Sequence, residues 1–320
     1  MAGSKPRIVI TAGDPNGIGP EIVLRAIAHE RVREICTPQV VGNRESIAHW
    51  ANRCGVAPPD ESMIVAAGAV PSVEWRVGEI DAVAGRVAFE SLVAAHRLLA
   101  DGEADALVTA PWSKEALHLA GAPHVGHTEA LAALTGETDP ITLFVCGTLR
   151  IAFLTRHLSL SDAIAAVTRE RLSTFFERLA RELTTTIGIS RPRIAVAALN
   201  PHGGEGGLLG REEIDEIAPA VKDAQTSGLD VVGPIPADAV FHEGTEGAHD
   251  CVVALYHDQG HIASKTRDFF GTVSLTLGLP YIRTSPDHGT AFDIAGKNRA
   301  DAGSLIRAVE LAVELCRKGN

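Results

Sequence analysis

Three histidines share one local context in this chain, and that context suits a metal ion. The apolar runs Ile151–Leu154, Ile194–Leu199 and Cys251–Leu255 each lead into a polar turn that carries an imidazole. His157 follows Arg156, His202 closes Asn200–Pro201–His202, and His257 precedes Asp258–Gln259–Gly260. Open α/β sheets bind ligands just beyond the carboxyl ends of their strands. Three imidazoles brought to such an edge, with a fourth position open, form a catalytic donor set for zinc and similar divalent ions. A lone histidine after a strand is more often a loop residue bonded to backbone. The repeated context, and the small residues Gly203–Gly204–Glu205–Gly206–Gly207 beyond His202, favour a site. His49, His96 and His118 fall on helical stretches and read as packing or surface residues, while His242 and His261 fit either description.

Two further groups of residues suit an anion. Val125–Gly126–His127–Thr128–Glu129 offers an imidazole and a hydroxyl at the start of a helical stretch, where free backbone N–H groups favour negative charge. The plain alternative makes Thr128 a helix cap. Lys265, eight residues beyond His257, and Arg283, at the end of the apolar run LTLGLPYI, are candidate phosphate or carboxylate clamps. The loop Gly13–Glu21 lies where a dinucleotide fingerprint would, but its glycines do not fall in the GxGxxG spacing. Glu21, in the first turn of the next helix, would repel a pyrophosphate, so that role is rejected; Asp14 and Asn16 remain candidates to face an active site.

Strand-like and helix-like stretches alternate along the whole chain, from Arg7–Thr11 through Gln39–Val41, the amphipathic 85–100 stretch, Ala104–Val108, Ile141–Val145 and Asp230–Val232. This predicts a doubly wound α/β architecture with a mostly parallel sheet. The 320 residues suit two domains or one large unit. A net charge of -11 without clustered Lys and Arg argues against nucleic-acid binding. Five widely spaced cysteines with no CxxC pair read as reduced thiols of a cytoplasmic protein. The start, MAGSKPRIVITAG, has no signal-peptide core, and no apolar run is long enough to span a membrane.

The segments GDPNGIGPE, GHTE, RHLSL, NPHGGEGG, YHDQGH and IRTSPDHGTAFDIAGK occur in the order and spacing of the PdxA family, which the chain resembles from residue 7 to about 315. The stretch His288–Lys297 also looks like the adenosine-binding loop of isocitrate and isopropylmalate dehydrogenases. The resemblance implies an isocitrate/isopropylmalate dehydrogenase-like fold of two α/β domains with an active-site cleft between them. The expected domains are 1–135 plus 280–320, and 136–279 carrying the metal-binding histidines and dimer contacts. It implies a metal-dependent NAD or NADP dehydrogenase working as a homodimer with a shared active site. His157, His202 and His257 match the positions that hold one divalent ion (Zn, Mg, Co or Mn). His127, Thr128, Lys265 and Arg283 match substrate positions. Ser274 stands where the family has a substrate-binding Asn, and offers one donor in place of two. Asp238 and Asp258 fit carboxylates that support the metal ligands or handle a proton, and the catalytic base is Asp258, Lys265 or a metal-bound water. Asp287, His288, Gly289, Thr290, Ala291, Asp293, Gly296 and Lys297 match the cofactor loop. The expected reaction oxidises the 3-hydroxyl of 4-phosphohydroxy-L-threonine and decarboxylates it to 3-amino-2-oxopropyl phosphate. The alternatives are 4-phospho-D-threonate or 4-phospho-D-erythronate as substrate, a metal-dependent hydrolase or lyase without nicotinamide, and a non-catalytic binding module.

Overall fold

The computed structural model describes residues 4–70 and 74–318. Residues 1–3, where the stretch read for a signal peptide begins, lie outside them. The chain divides into two compact units: Met1–Pro140 with Val273–Asn320, and Ile141–Thr272. In chain order the strands are β1 (Arg7–Thr11), β2 (Thr37–Gly42), β3 (Ile64–Ala66), β4 (Ala106–Thr109), β5 (Ile141–Cys146), β6 (Leu149–Phe153), β7 (Arg193–Ala197), β8 (Asp230–Ile235), β9 (Cys251–Ala254), β10 (Val273–Leu277) and β11 (Ile282–Pro286).

The strands of unit 1 lie in the order β3-β2-β1-β4-β11-β10. All neighbours are parallel except β10, which runs antiparallel to β11. The sequence RIVIT of β1 shows why the sheet is covered on both sides. Ile8 and Ile10 enter a core with Ile22, Trp50 and Leu305, carried by the helices Gly19–Ala28, Arg44–Cys54 and Gly303–Lys318. Val9, pointing the other way, packs with Ala88, Leu92 and Leu99 of the helix Ala82–Ala100. Successive side chains leave a strand on opposite faces, so a continuous apolar run requires helices on both. Each fully buried Ile or Val contributes about 1.5–3 kcal/mol. The long helix starts where Asp81 accepts from the backbone N–H groups of Val83 and Ala84, at 2.7 and 3.2 Å.

The strands of unit 2 lie in the order β5-β6-β9-β7-β8, parallel apart from the antiparallel β5/β6 pair. The helix Arg169–Thr185 buries Leu172, Phe176, Leu179 and Leu183, the spacing of a single helical stripe.

The expected α/β alternation is present, and the fold differs from the sequence reading in three strands. β3, β10 and β11 were not expected. Polar Ser274, Thr276, Arg283 and Ser285 interrupt the apolar signal of the last two. β10, placed by the sequence reading within 136–279, counts with unit 1, because its ladder is formed with β11. No helix among the described residues is long and apolar enough to cross a membrane. All five cysteines are free thiols; burial pushes those of Cys36 and Cys251 up to about 12.

Candidate active site

The three histidines hang from adjacent parallel strands. β6, β9 and β7 are neighbours in that order, and His157, His257 and His202 lie three to five residues beyond their respective last residues. Two buried side chains latch these strand ends together. Thr155 donates its hydroxyl proton to the Leu255 carbonyl at 2.7 Å. Gln259 accepts from the Leu255 N–H and donates to the Ala198 carbonyl, both at 2.8 Å.

His257 opens the helix His257–Arg267, and its ring centroid is 5.9 Å from that of His157. Its Nδ1 lies 2.6 Å from Asp258 Oδ1. An ionised carboxylate only accepts, so Nδ1 carries the proton and the Nε2 lone pair is left for a cation. His261, one turn on, stacks on His257 with centroids 3.6 Å apart and planes 14° off parallel. Phe144 and Phe153 pack against that second imidazole, which makes it a platform for the first. The helix approaches β6 closely only because residue 260 is glycine: a Cβ there would come within 2.5 Å of the Phe153 ring.

His202 sits in a turn whose residues His202 to Gly206 all have positive φ, and its Nδ1 faces Glu205 Oε1 at 2.8 Å. Buried Glu213 holds the base of this turn by accepting from the Leu199 and Asn200 N–H groups at 2.9 and 2.7 Å. The expectation that the three imidazoles meet at one point is not met within one chain. Among the described residues no group of three His, Cys, Asp or Glu side chains is gathered closely enough to hold a metal ion. The donor chemistry still fits a divalent ion, since His257 and His202 each pair Nδ1 with a carboxylate.

On the helix that begins at His257, Lys265 holds its ammonium 4.8 Å from the centre of the Phe269 ring. Asp238, in the first turn of the helix Ala237–Thr245, is exposed.

In unit 1 the anion-binding candidates come together. Arg283, 4% exposed, donates from Nη2 and Nε to the Thr109 hydroxyl at 2.6 and 3.2 Å and from Nη1 to Thr276 at 2.9 Å. His127 stacks on Trp112, with centroids 3.6 Å apart and planes 11° off parallel. Burial first, then the charges of Arg283 and Lys114, hold the His127 imidazole well below its usual range. It is therefore neutral at pH 7. Gly126, and not Thr128, is the cap of the helix His127–Thr135, so the Thr128 hydroxyl is not used for capping. Ser274 lies opposite Ser285 across the β10/β11 ladder.

The loop from Asp287 to Lys297 folds on the N-terminal glycine loop. Ile18 N–H donates to the Thr290 carbonyl at 3.0 Å, and a Cβ at Gly17 would collide with Thr290. Ala291 and Gly296 take positive φ. Arg53 donates to the Gly296 carbonyl at 3.2 Å. Glu21 is wholly buried and accepts from Arg25 and from the Ala300 N–H. Asp14 and Asn16 are buried to 0% and 1% exposure, so neither opens to solvent.

Burial pushes the Asp14 carboxyl up to about 6. The folded chain then holds that proton more tightly than the unfolded chain, where the value is about 3.9. The stabilising contribution is complete below about pH 4 and is lost as pH rises through 6. The gap corresponds to roughly 3 kcal/mol. Asp14→Asn is expected to flatten the stability profile between pH 4 and 6 relative to the parent, measured by urea melts at half-unit steps. Parallel profiles would show that Asp14 ionises normally.

The family model for "Pyridoxal phosphate biosynthetic protein PdxA" matches residues 33–312. The chain belongs to the PdxA family. A relative from Halalkalibacterium halodurans, provisionally named D-threonate 4-phosphate dehydrogenase, is 44% identical, covering 97% of each chain. The solved 4-hydroxythreonine-4-phosphate dehydrogenase of Klebsiella pneumoniae is 39% identical with a TM-score of 0.86, covering 98% of this chain and all of that one. Isocitrate dehydrogenase from Methylococcus capsulatus shares the fold at 15% identity and a TM-score of 0.51, covering 98% of this chain and 86% of that one.

As a PdxA-family member with an isocitrate/isopropylmalate dehydrogenase-like fold, the chain is an enzyme, a dehydrogenase acting on a CH–OH group. Sequence reasoning missed Thr155, Gln259, Glu213 and Trp112, which shape the candidate site, and leaves His261 open. The first three act through hydrogen bonds to backbone distant in sequence, which leaves no trace in spacing. His261 does stand one helical turn from His257, and that i,i+4 relation was the available signal.

Proposed function

We propose that the enzyme oxidises the 3-hydroxyl of a four-carbon 4-phosphorylated hydroxy acid with NAD or NADP and a divalent metal ion, D-threonate 4-phosphate being favoured. The 44% identical relative of that provisional name, matched over nearly its full length, carries the choice. Ser274, a short hydroxyl in place of an amide, suits a hydroxylated acid. A second reading, 4-phosphohydroxy-L-threonine as substrate, is favoured by the Klebsiella neighbour.

In this reading Arg283, His127 and Thr128 bind the phosphate, with Lys265 and Ser274 contacting the rest of the substrate. His157, His257 and His202 would hold the metal, the third from a second copy of the chain in a homodimer, and the loop from Asp287 to Lys297 (His288, Gly289, Thr290, Ala291, Asp293 and Gly296 included) would hold the nicotinamide cofactor. When bound, the metal lowers the pKa of the substrate hydroxyl and polarises the resulting carbonyl, and the nicotinamide accepts the hydride. Lys265 and Asp258 lie on the helix that carries His257, and either can take the hydroxyl proton; Asp238 would relay it to solvent. Loss of a hydride and a proton leaves a β-keto acid. Its C–C bond to the carboxylate breaks with release of CO2, giving a three-carbon ketone phosphate.

The test is a substrate panel: D-threonate 4-phosphate, D-erythronate 4-phosphate, 4-phosphohydroxy-L-threonine and their unphosphorylated counterparts, each with NAD and NADP and several divalent ions. Reduced-cofactor absorbance should rise fastest with D-threonate 4-phosphate. Removing the phosphate should lower kcat/KM by about 10³ or more. Faster cofactor reduction with 4-phosphohydroxy-L-threonine would replace this reading with the second.

A further inference from the structure

We propose that Trp112 is a positioning residue for the phosphate end of the site: its indole fixes the plane of the His127 imidazole, and its N–H holds the loop that carries His127. The inference rests on the reading of His127 as a phosphate ligand.

The chain leaves β4 at Thr109, and three residues later the Trp112 side chain is 8% exposed. Its Nε1–H donates to the Val125 carbonyl at 3.1 Å. Val125 lies two residues ahead of His127, so this bond fixes the entry of the loop into the helix His127–Thr135. The indole and imidazole then lie face on face at 3.6 Å and 11°. Phe89, from the helix Ala82–Ala100, stacks on the same indole with centroids 6.4 Å apart and planes at 28°. The indole is thus held by a hydrogen bond and an aromatic neighbour, while the imidazole rests on the indole.

Why an imidazole needs such support follows from its torsions. Rotation about the terminal sp³–sp² bond of histidine is broad, with no sharp well. Left alone, the ring would sweep its nitrogens through a wide arc. Stacking removes that freedom and leaves only the ring edge, where both nitrogens lie, to meet a ligand. The charged groups acting on His127 are Arg283 from β11 and Lys114 from the helix Lys114–Leu119, and Glu129 lies in the first turn of its own helix. Both cations and burial favour the neutral ring. A neutral imidazole has one N–H, so its direction decides whether a phosphate oxygen is met. Arg283 brings the charge, and the stacked imidazole brings a single directed donor.

The experiment compares Trp112→Phe, Trp112→Leu and His127→Asn with the parent enzyme. Steady-state kinetics use the best phosphorylated substrate of the panel. NMR of ¹⁵N-labelled histidine follows the His127 ring without substrate. Trp112→Leu is expected to raise KM about five- to tenfold with kcat within about twofold, the scale of one lost aromatic pair. The His127 ¹⁵N signals should move from one neutral tautomer toward a rotating average. Trp112→Phe keeps a stacking ring but loses the donor, and should give a smaller KM rise with the tautomer preserved. It also keeps most of the volume, so it guards against a leucine variant that fails to fold. An unchanged His127 spectrum in Trp112→Leu, or a fall in kcat at constant KM, would overturn the proposal. If His127→Asn leaves KM unchanged while the Trp112→Leu spectrum still broadens, the phosphate reading fails and the positioning of the ring stands.

Discussion

Replacing Arg283 by methionine is expected to raise KM for the phosphorylated substrate by about 100- to 1000-fold, with kcat changed far less. The side chain is buried, so its charge acts on a ligand through little water, and removing one partner of a desolvated charged pair costs about 2–5 kcal/mol. The substitution has a structural side as well. The hydroxyls of Thr109 and Thr276 accept from the guanidinium and would lose that donor, at roughly 1–3 kcal/mol for each group left unsatisfied. Thermal melts should therefore fall alongside affinity. Arg283→Lys separates the two effects: an ammonium keeps the charge but cannot reproduce the planar fork that serves two hydroxyls. It is expected to fall between the parent and the methionine variant in KM. Equal KM values in all three would remove Arg283 from substrate binding. The His127 imidazole reports the same change, because one of the charges holding it neutral is gone and its pKa should move back toward the ordinary range. A depressed histidine contributes stability in full above about pH 6.5, which is lost as pH falls through the folded value. That acid-side loss should shrink in the methionine variant.

The second large effect is expected at the histidines. His257→Ala and His202→Ala should each lower kcat/KM by about 10³ or more and abolish retention of the divalent ion through gel filtration, as read by elemental analysis. Asp258→Asn, which removes the carboxylate partner of His257 Nδ1, should weaken metal affinity by about 10- to 100-fold. One chain does not bring the three imidazoles together, which suggests a sharper experiment. In a mixed population of His257→Ala and His202→Ala subunits, a site drawing from two chains regains both ligands in one of the two sites of each heterodimer. About a quarter of the parent activity should return on mixing. A site built within one chain would return none, and full activity of either variant after exhaustive chelation would end the metal assignment.

Much of the scaffold was legible because it rests on local regularities. RIVIT reads as a strand covered on both faces, and Ile8 and Ile10 do part company with Val9 into opposite cores. The three strand–turn–histidine segments were visible as a repeated context, and the structure sets them on three adjacent parallel strands. What spacing does not carry is direction. Nothing in NPHGGEGG announces six consecutive residues, His202 to Gly207, at positive φ. The β10/β11 pair was hidden for another reason: its inward positions are spent on Thr276, Arg283 and Ser285, a polar pattern that resembles a loop until both strands are seen side by side. A cap at Thr128, the plain alternative to its role as a ligand, would start the helix at Glu129; the helix starts two residues earlier, and Gly126 takes that place.

The β10/β11 pair also sets a rule for loop length. Thr276 lies directly across from Arg283, and only four residues, Gly278 to Tyr281, separate the two strands. Adding or deleting one residue in that connection, with the strands re-paired by a single step, would turn Ile282 or Thr284 to the face that Arg283 now occupies. The guanidinium would be carried to the opposite side of the sheet. Functional homologues with a connection of different length should therefore differ by an even number of residues, or else hold the extra one in a bulge outside the ladder. Parity in that short stretch becomes a criterion for sorting sequences that keep the basic clamp from those that have lost it.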